Sequence, residues 1–228
     1  MFYVVGTAIG NIEDTSLRTV KTLANSDVIL TEDTATFDSY YRRVQELFKL
    51  IPKKSQRCIH FHKENEFEKT PEIINLLDQN LTVSLVSESG LPAIADPGSD
   101  LIIRIIKSGL PFSVIPGPTA FTTAAVLSGF PTNQIMFLGF LPKKESAIVK
   151  IFTQLVACRS KEINPTIVFY ESPHRINKTL QALSNIIPNA QIAIAREITK
   201  KFEEIIRGEP SELLSKKYKG ELTVAVRI

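Results

Sequence analysis

The chain reads as an α/β protein built in two halves, and three observations lead there. Short, β-branched apolar runs alternate with stretches of helical periodicity. Several of those runs are continuously apolar, as strands covered on both faces of a largely parallel sheet must be. A Pro-Gly-Pro at 116–118 splits the 228 residues nearly in half, which predicts domains at 1–116 and 117–228.

The elements follow in order. Strands are expected at 3–5, 28–31, 82–87 and 112–115, then at 135–140, 166–170, 192–195 and 222–228. Leu17, Val20, Leu23 and Ala24 mark one face of the first helix, with Asp14, Thr15 or Ser16 as its cap. A second helix is expected over 35–49. A third runs over 99–108 and ends at Gly109, and a fourth over 118–129 ends at Gly129. Another follows Pro173, so that His174 and Arg175 fall in its first turn. The last follows Pro210 and Ser211, both good helix starters. No repeat or low-complexity segment interrupts this pattern.

Composition excludes several classes. Hydrophobic residues make up 43% of the chain, enough for a packed core, yet no apolar run reaches the length of a membrane span. The N-terminal MFYVVGTAIGN has neither the basic start nor the long apolar stretch of a secretion signal. Cys58 and Cys158 lie far apart without C-x-x-C partners or a nearby histidine set, so no metal site is expected and a reducing cytoplasm fits. Charge is uneven. Residues 1–116 hold 12 Lys and Arg against 15 Asp and Glu (net −3), and residues 117–228 hold 15 against 9 (net +6). A basic half can attract a polyanion, though an ordinary solvated surface looks the same.

Ligands of α/β sheets bind beyond the carboxyl ends of the strands, so the segments after each run are where chemistry is expected. The first is Gly6-Thr7-Ala8-Ile9-Gly10-Asn11, whose glycines permit close backbone approach to a ligand or make a plain tight turn. It is no G-x-G-x-x-G, and the chain has no G-x-x-x-x-G-K-[ST]. The second is Glu32-Asp33-Thr34, in which the carboxylates either cap the next helix or take a proton. The third, 87–98, is the most unusual. Its two prolines, two glycines and two acids suit a fixed backbone that pairs with a ligand, or a purely structural loop. Thr119 can cap the helix after 116–118. His174 and Arg175 are cations at an expected helix start, which calls for an anionic partner: a bound phosphate or, more simply, Glu171.

Taken in order, VVGTAIGNIEDTSLRTVKTLANSDVILTEDT, SLVSESGLPAIADPGSDLI, VIPGPTAFTTAAVLSGF, FLGFLPKK, IVFYESPHRINKTL and IAREITKKFEEIIRGEPSEL resemble the tetrapyrrole methylase superfamily. Within it they resemble the branch that 2′-O-methylates a cytidine of small-subunit ribosomal RNA. The resemblance implies two α/β domains with a cofactor cleft between them, a homodimer, and S-adenosylmethionine as methyl donor. It places cofactor contacts on Gly6, Thr7, Glu88, Ser89, Gly90, Ala93, Ile94, Ala95, Thr119, Ala120 and Tyr170. Glu32 and Asp33, or else Glu197 and Lys200, are the candidate proton-handling groups. Lys143, Lys144, His174, Arg175, Arg196 and Lys201 are the candidate contacts to ribosomal RNA. The same fold acting on a tetrapyrrole, or a non-catalytic nucleotide- or RNA-binding paralogue, are the competing expectations. The match is not complete: Ala35 stands where the family has arginine, and Glu88, Ser89 and Leu91 replace Asp, Ala and Thr of the family loop. Many members also carry a small further C-terminal domain that these 228 residues do not include. If Gly90 lies against the cofactor, Gly90→Trp should abolish binding and spare the fold.

Overall fold

The structure, a computed structural model, describes residues 1–214 and 216–228. The chain divides into two compact units, Met1–Thr119 and Ala120–Ile228.

The first unit alternates strand and helix: β1 (Phe2–Val5), α1 (Leu17–Asn25), β2 (Val28–Thr31), α2 (Thr34–Phe48), β3 (Arg57–His60), α3 (Glu66–Asp78), β4 (Val83–Leu85), α4 (Ser99–Lys107) and β5 (Phe112–Ile115). Its five strands lie in the order β3-β2-β4-β1-β5, all parallel. Alternation along β1 splits the core into two layers. Phe2 and Val4 pack with Ile73 and Leu77 of α3 and Leu101 and Ile105 of α4. Val5 packs on the other face with Val20 and Leu23 of α1 and Phe37 and Val44 of α2. Caps start the helices where the chain must turn off the sheet. The Ser16 hydroxyl accepts from the Thr19 amide at 3.0 Å. The start of α4 is capped from a distance, by the buried Glu66 carboxylate accepting from the Leu101 amide at 3.0 Å.

The second unit holds α5 (Ala120–Ser128), β6 (Ile135–Phe140), α6 (Glu145–Ala157), β7 (Thr166–Glu171), α7 (Ile176–Ile186), β8 (Gln191–Arg196), β9 (Glu204–Gly208), the single-turn α8 (Pro210–Leu213) and β10 (Leu222–Arg227). Its sheet is mixed, in the order β6-β7-β10-β8-β9, with only β6 and β7 parallel. Helices α6 and α7 cover one face through Phe152, Leu180 and Leu183. On the other face α5 packs Ala125 against Val168, Ala193 and Ala225, small residues that let the helix approach closely.

Several expectations are corrected. His174 and Arg175 precede α7 rather than forming its first turn; Arg175 is the N-cap residue. The strand expected over 82–87 is three residues long, and the helix after Pro210 is one turn. Strands β3 and β9 and helices α3 and α6 were not expected at all.

Candidate active site

Because the first sheet is all parallel, the loops after its five strands emerge along one edge. Strands β4 and β1 are neighbours there, but the chain runs from β1 to β2 and from β4 to β5, in opposite directions. Their loops therefore part toward opposite faces, which is how a ligand crevice forms at the carboxyl ends of such sheets. Those two loops are also tied together. The Thr7 amide donates to the Gly90 carbonyl at 2.8 Å, and the Thr7 hydroxyl donates to the same carbonyl at 3.3 Å. The Ser87 hydroxyl reaches it at 3.4 Å.

Gly6 and Thr7 support this crevice more than they face it. The Gly6 amide donates to Ile115 at 2.9 Å and its carbonyl accepts from the Thr19 hydroxyl at 2.9 Å. A Cβ on Gly6 would lie 2.6 Å from the Gly117 amide nitrogen and 2.8 Å from its Cα. The glycine thus answers to a crossing of two loops. Thr7 is buried beneath the Ser87–Gly90 turn. Glu88 and Ser89 at the top of that turn are exposed, and Ala93 and Ile94 are half-buried. Ala93 and Ala95 both sit in the left-handed region, at φ 67° and 64°, where a Cβ is strained.

Gly90 has φ +86°, is buried, and offers only 3.3 Å to Ile9 Cγ2 for an added Cβ. Gly90→Trp would consequently damage the fold itself, and the expectation that it spares the fold is withdrawn. Gly90→Ala is the usable probe. It should cost about 1–2 kcal/mol from the positive φ, measured by urea denaturation; an unchanged midpoint would show that the turn relaxes freely.

The carboxylates of this edge differ in kind. Asp33 is spent as the cap of α2, its Oδ1 accepting from the Ala35 and Thr36 amides at 2.8 and 2.9 Å. The Thr36 amide, then the Ala35 amide and nearby His60, hold its carboxyl below the usual range, so it is a poor proton acceptor. Glu32 is exposed. Asp96 is the residue that the sequence reading passed over. Burial first, then the charge of Glu32 and more weakly that of Glu88, push its carboxyl up to about 6, against a hydrogen bond from Ser87. Glu32, Ala93, Ala95 and Asp96 line one end of a cavity of about 1420 Å³ that continues between α3 and α4. The available signal was an aspartate set between Ala95 and Pro97 in the loop after a buried strand.

In the second unit the charged candidates are largely paired. Glu197, at φ 49°, accepts from the Glu221 amide at 2.9 Å, and Lys200 Nζ lies 2.9 Å from Glu221 and 3.6 Å from Glu197. This knot fastens the β8–β9 turn to the start of β10. Arg196 is held by the Lys219 carbonyl at 2.7 Å and by Glu204 at 3.3 Å. Arg175 takes the simpler of its two expected partners, Glu171, with Nε 3.4 Å from Oε1. Lys143, Lys144, His174 and Lys201 are exposed. Tyr170 is half-buried at the end of β7, edge-on to Phe137 and Phe140. Thr119 closes the first unit and Ala120 opens α5, both half-buried.

Among the described residues no group of three or more His, Cys, Asp or Glu could hold a metal ion. No helix among them is long and apolar enough to cross a membrane.

The family model of tetrapyrrole (corrin/porphyrin) methylases matches residues 1–214. The chain is 38% identical over 227 residues to "Ribosomal RNA small subunit methyltransferase I" of Thermotoga maritima, covering 98% of this chain and 96% of that one. It is 38% identical over 231 residues to the protein of the same name from a Hydrogenobaculum species, covering 98% and 94%. The one from Halalkalibacterium halodurans is 36% identical over 210 residues, covering 92% of this chain and 68% of its own. Among solved structures, the methyltransferase CobJ superposes with a TM-score of 0.72 at 18% identity, over 99% of this chain and 93% of its own. Uroporphyrin-III-C-methyltransferase from Thermus thermophilus gives 0.65 at 18%, over 98% and 93%. Those two show a shared fold. With the family model spanning nearly the whole chain and such relatives at this identity, the chain belongs to the tetrapyrrole methylase family, a family of methyltransferases.

Proposed function

We propose that the chain transfers a methyl group from S-adenosylmethionine to the 2′-hydroxyl of a cytidine in small-subunit ribosomal RNA, acting in the cytoplasm as a homodimer. The observation that carries the catalytic reading is the cavity whose one end is lined by Glu32, Ala93, Ala95 and Asp96, with the half-buried Asp96 in its wall. The acceptor rests on the relatives' names and on the basic second unit, which holds 15 Lys and Arg against 9 Asp and Glu.

The residues present fit the donor. S-adenosylmethionine, when bound, supplies a methyl on a positively charged sulfur. The negative charges of Glu32 and Glu88 would favour that cation. Loop 88–95 would hold it through exposed backbone, with Thr7 and Gly90 keeping that loop on β1. The chain then has three tasks: to orient the acceptor hydroxyl, to exclude water and to take up the hydroxyl proton. Orientation can supply up to about 7–11 kcal/mol. For the proton, Asp33, Glu197 and Lys200 are engaged elsewhere, so Asp96 takes it, with Glu32 beside it keeping its carboxylate basic.

Two measurements test this reading. Calorimetry with S-adenosylmethionine should show one site per chain; no binding would sink it. Labelled donor incubated with 30S subunits lacking the modification should put label on one cytidine ribose. Label appearing only in a tetrapyrrole or other small molecule would move the acceptor to that class.

A further inference from the structure

The segment around Phe140 has a construction that methyl transfer alone does not require. Strand β6 is an edge strand, paired among the described residues only with β7. Its register runs evenly to Phe137↔Val168, then slips, so that Phe140 meets Tyr170 with one extra residue on β6. Gly139, at φ 62°, makes the bulge. Phe140 is left 60% exposed at the strand end.

The ring is nevertheless well supported. Tyr170 stands edge-on to it at 5.4 Å between centroids, Phe137 edge-on to Tyr170 at 5.0 Å, and Phe121 stacked on Phe137 at 4.4 Å. These rings lead down into the α5 side of the core, where Phe121 and Phe137 pack. The chain beyond Phe140 is fixed as well. Leu141 is buried, and Arg175 Nη2 donates to the Leu141 and Pro142 carbonyls at 2.9 and 3.0 Å. Lys143 and Lys144 follow, exposed and without an ion pair among the described residues; Glu145 is the nearest acid in sequence.

A rigidly backed, exposed aromatic ring followed three and four residues later by two exposed lysines offers what an unpaired nucleotide requires: a face for the base and charge for its phosphates. We propose that Phe140, backed by Tyr170 and flanked by Lys143 and Lys144, is a stacking site for an unpaired base of the RNA substrate. This rests on the RNA acceptor proposed above.

The test uses the full chain and a fluorescein-labelled, 12-nucleotide single-stranded RNA, followed by anisotropy over a range of salt. Phe140→Ala should raise Kd roughly tenfold and leave the salt slope unchanged, whereas Phe140→Trp should restore binding. Lys143→Ala with Lys144→Ala should weaken binding and flatten the slope of log K against log salt by about 1.4, from about 0.7 per phosphate contact. Wild-type RNA affinity in a folded Phe140→Ala protein would overturn the proposal. So would a change in sedimentation of that variant without a change in RNA affinity, which would make β6 a contact between copies. A chain that binds this RNA through Phe140 yet never labels 30S subunits would keep the stacking site and reject the acceptor assigned above.

Discussion

Asp96→Asn is expected to lower kcat for ribose methylation by about 10²–10⁴-fold, the usual worth of a positioned base, while leaving the Kd for S-adenosylmethionine within a few fold. The asparagine keeps the shape of the loop and the hydrogen bond from Ser87 but cannot accept a proton. Rate should follow the deprotonated fraction of Asp96. With its carboxyl pushed up to about 6, wild-type kcat should fall on the acid side of that value, about tenfold per pH unit. Glu32→Gln removes the larger of the two charges that raise Asp96, so this limb should move to lower pH. Stability should respond in the opposite sense to activity. The folded value lies above the ordinary 3.8, so what Asp96 contributes to folding is present below pH 3.8 and lost as pH rises through 6. At pH 8 Asp96→Asn should melt no lower than wild type, and below pH 4 the two should coincide. A full kcat in Asp96→Asn would remove Asp96 from the reaction, and an acid limb that Glu32→Gln does not move would leave burial alone as what raises it.

What the sequence made legible follows from which residues carry their own signal. Strands β1, β2 and β4 and helices α1, α2 and α4 show themselves because their buried faces are apolar at the right period, and edge strand β5 shows itself because it is apolar in sequence although only Ile115 is buried. Strand β3 reads RCIH, with only Ile59 half-buried, because it is an edge strand whose other residues meet solvent. Strand β9 is likewise at an edge. Helix α3 carries Pro71 in its interior, which breaks a helical reading, and its buried Glu66 serves the start of α4 rather than its own helix.

The site was legible as a set of loops, since strand-end segments with Gly and Pro stand out in any α/β chain. The roles inside it were not. Asp33 as cap and Asp33 as base are the same residue in the same place, and only the two amides at its Oδ1 separate them. Glu197 and Lys200 looked available because Glu221, which engages both, lies more than 20 residues further on. The character of Asp96 depends first on its burial and then on Glu32, brought beside it by the β3-β2-β4-β1-β5 strand order.

The second large effect concerns Glu171, a residue the sequence offered only as a partner for Arg175. Its carboxylate is fully enclosed, with side-chain exposure of 0% against 26% for Arg175. It accepts from the Thr179 hydroxyl at 2.6 Å and the Ser172 amide at 2.8 Å, in addition to the arginine. Glu171→Ala leaves all three donors without their acceptor and opens a hole beside α7. The expected cost is about 3–5 kcal/mol, typical of removing one partner from a buried ion pair. Glu171→Gln should cost less, because an amide oxygen still accepts from Thr179 or Ser172 and Arg175 retains some access to water. Urea denaturation of the two variants gives the comparison, and a loss below about 1 kcal/mol in Glu171→Ala would mean that desolvation already cancels the pair. The consequence reaches the proposed stacking site. Arg175 is braced by Glu171 while it holds the Leu141 and Pro142 carbonyls, so the loop carrying Lys143 and Lys144 is ordered through a buried carboxylate it never touches. Glu171→Gln, if folded, should therefore weaken single-stranded RNA binding without altering the affinity for S-adenosylmethionine.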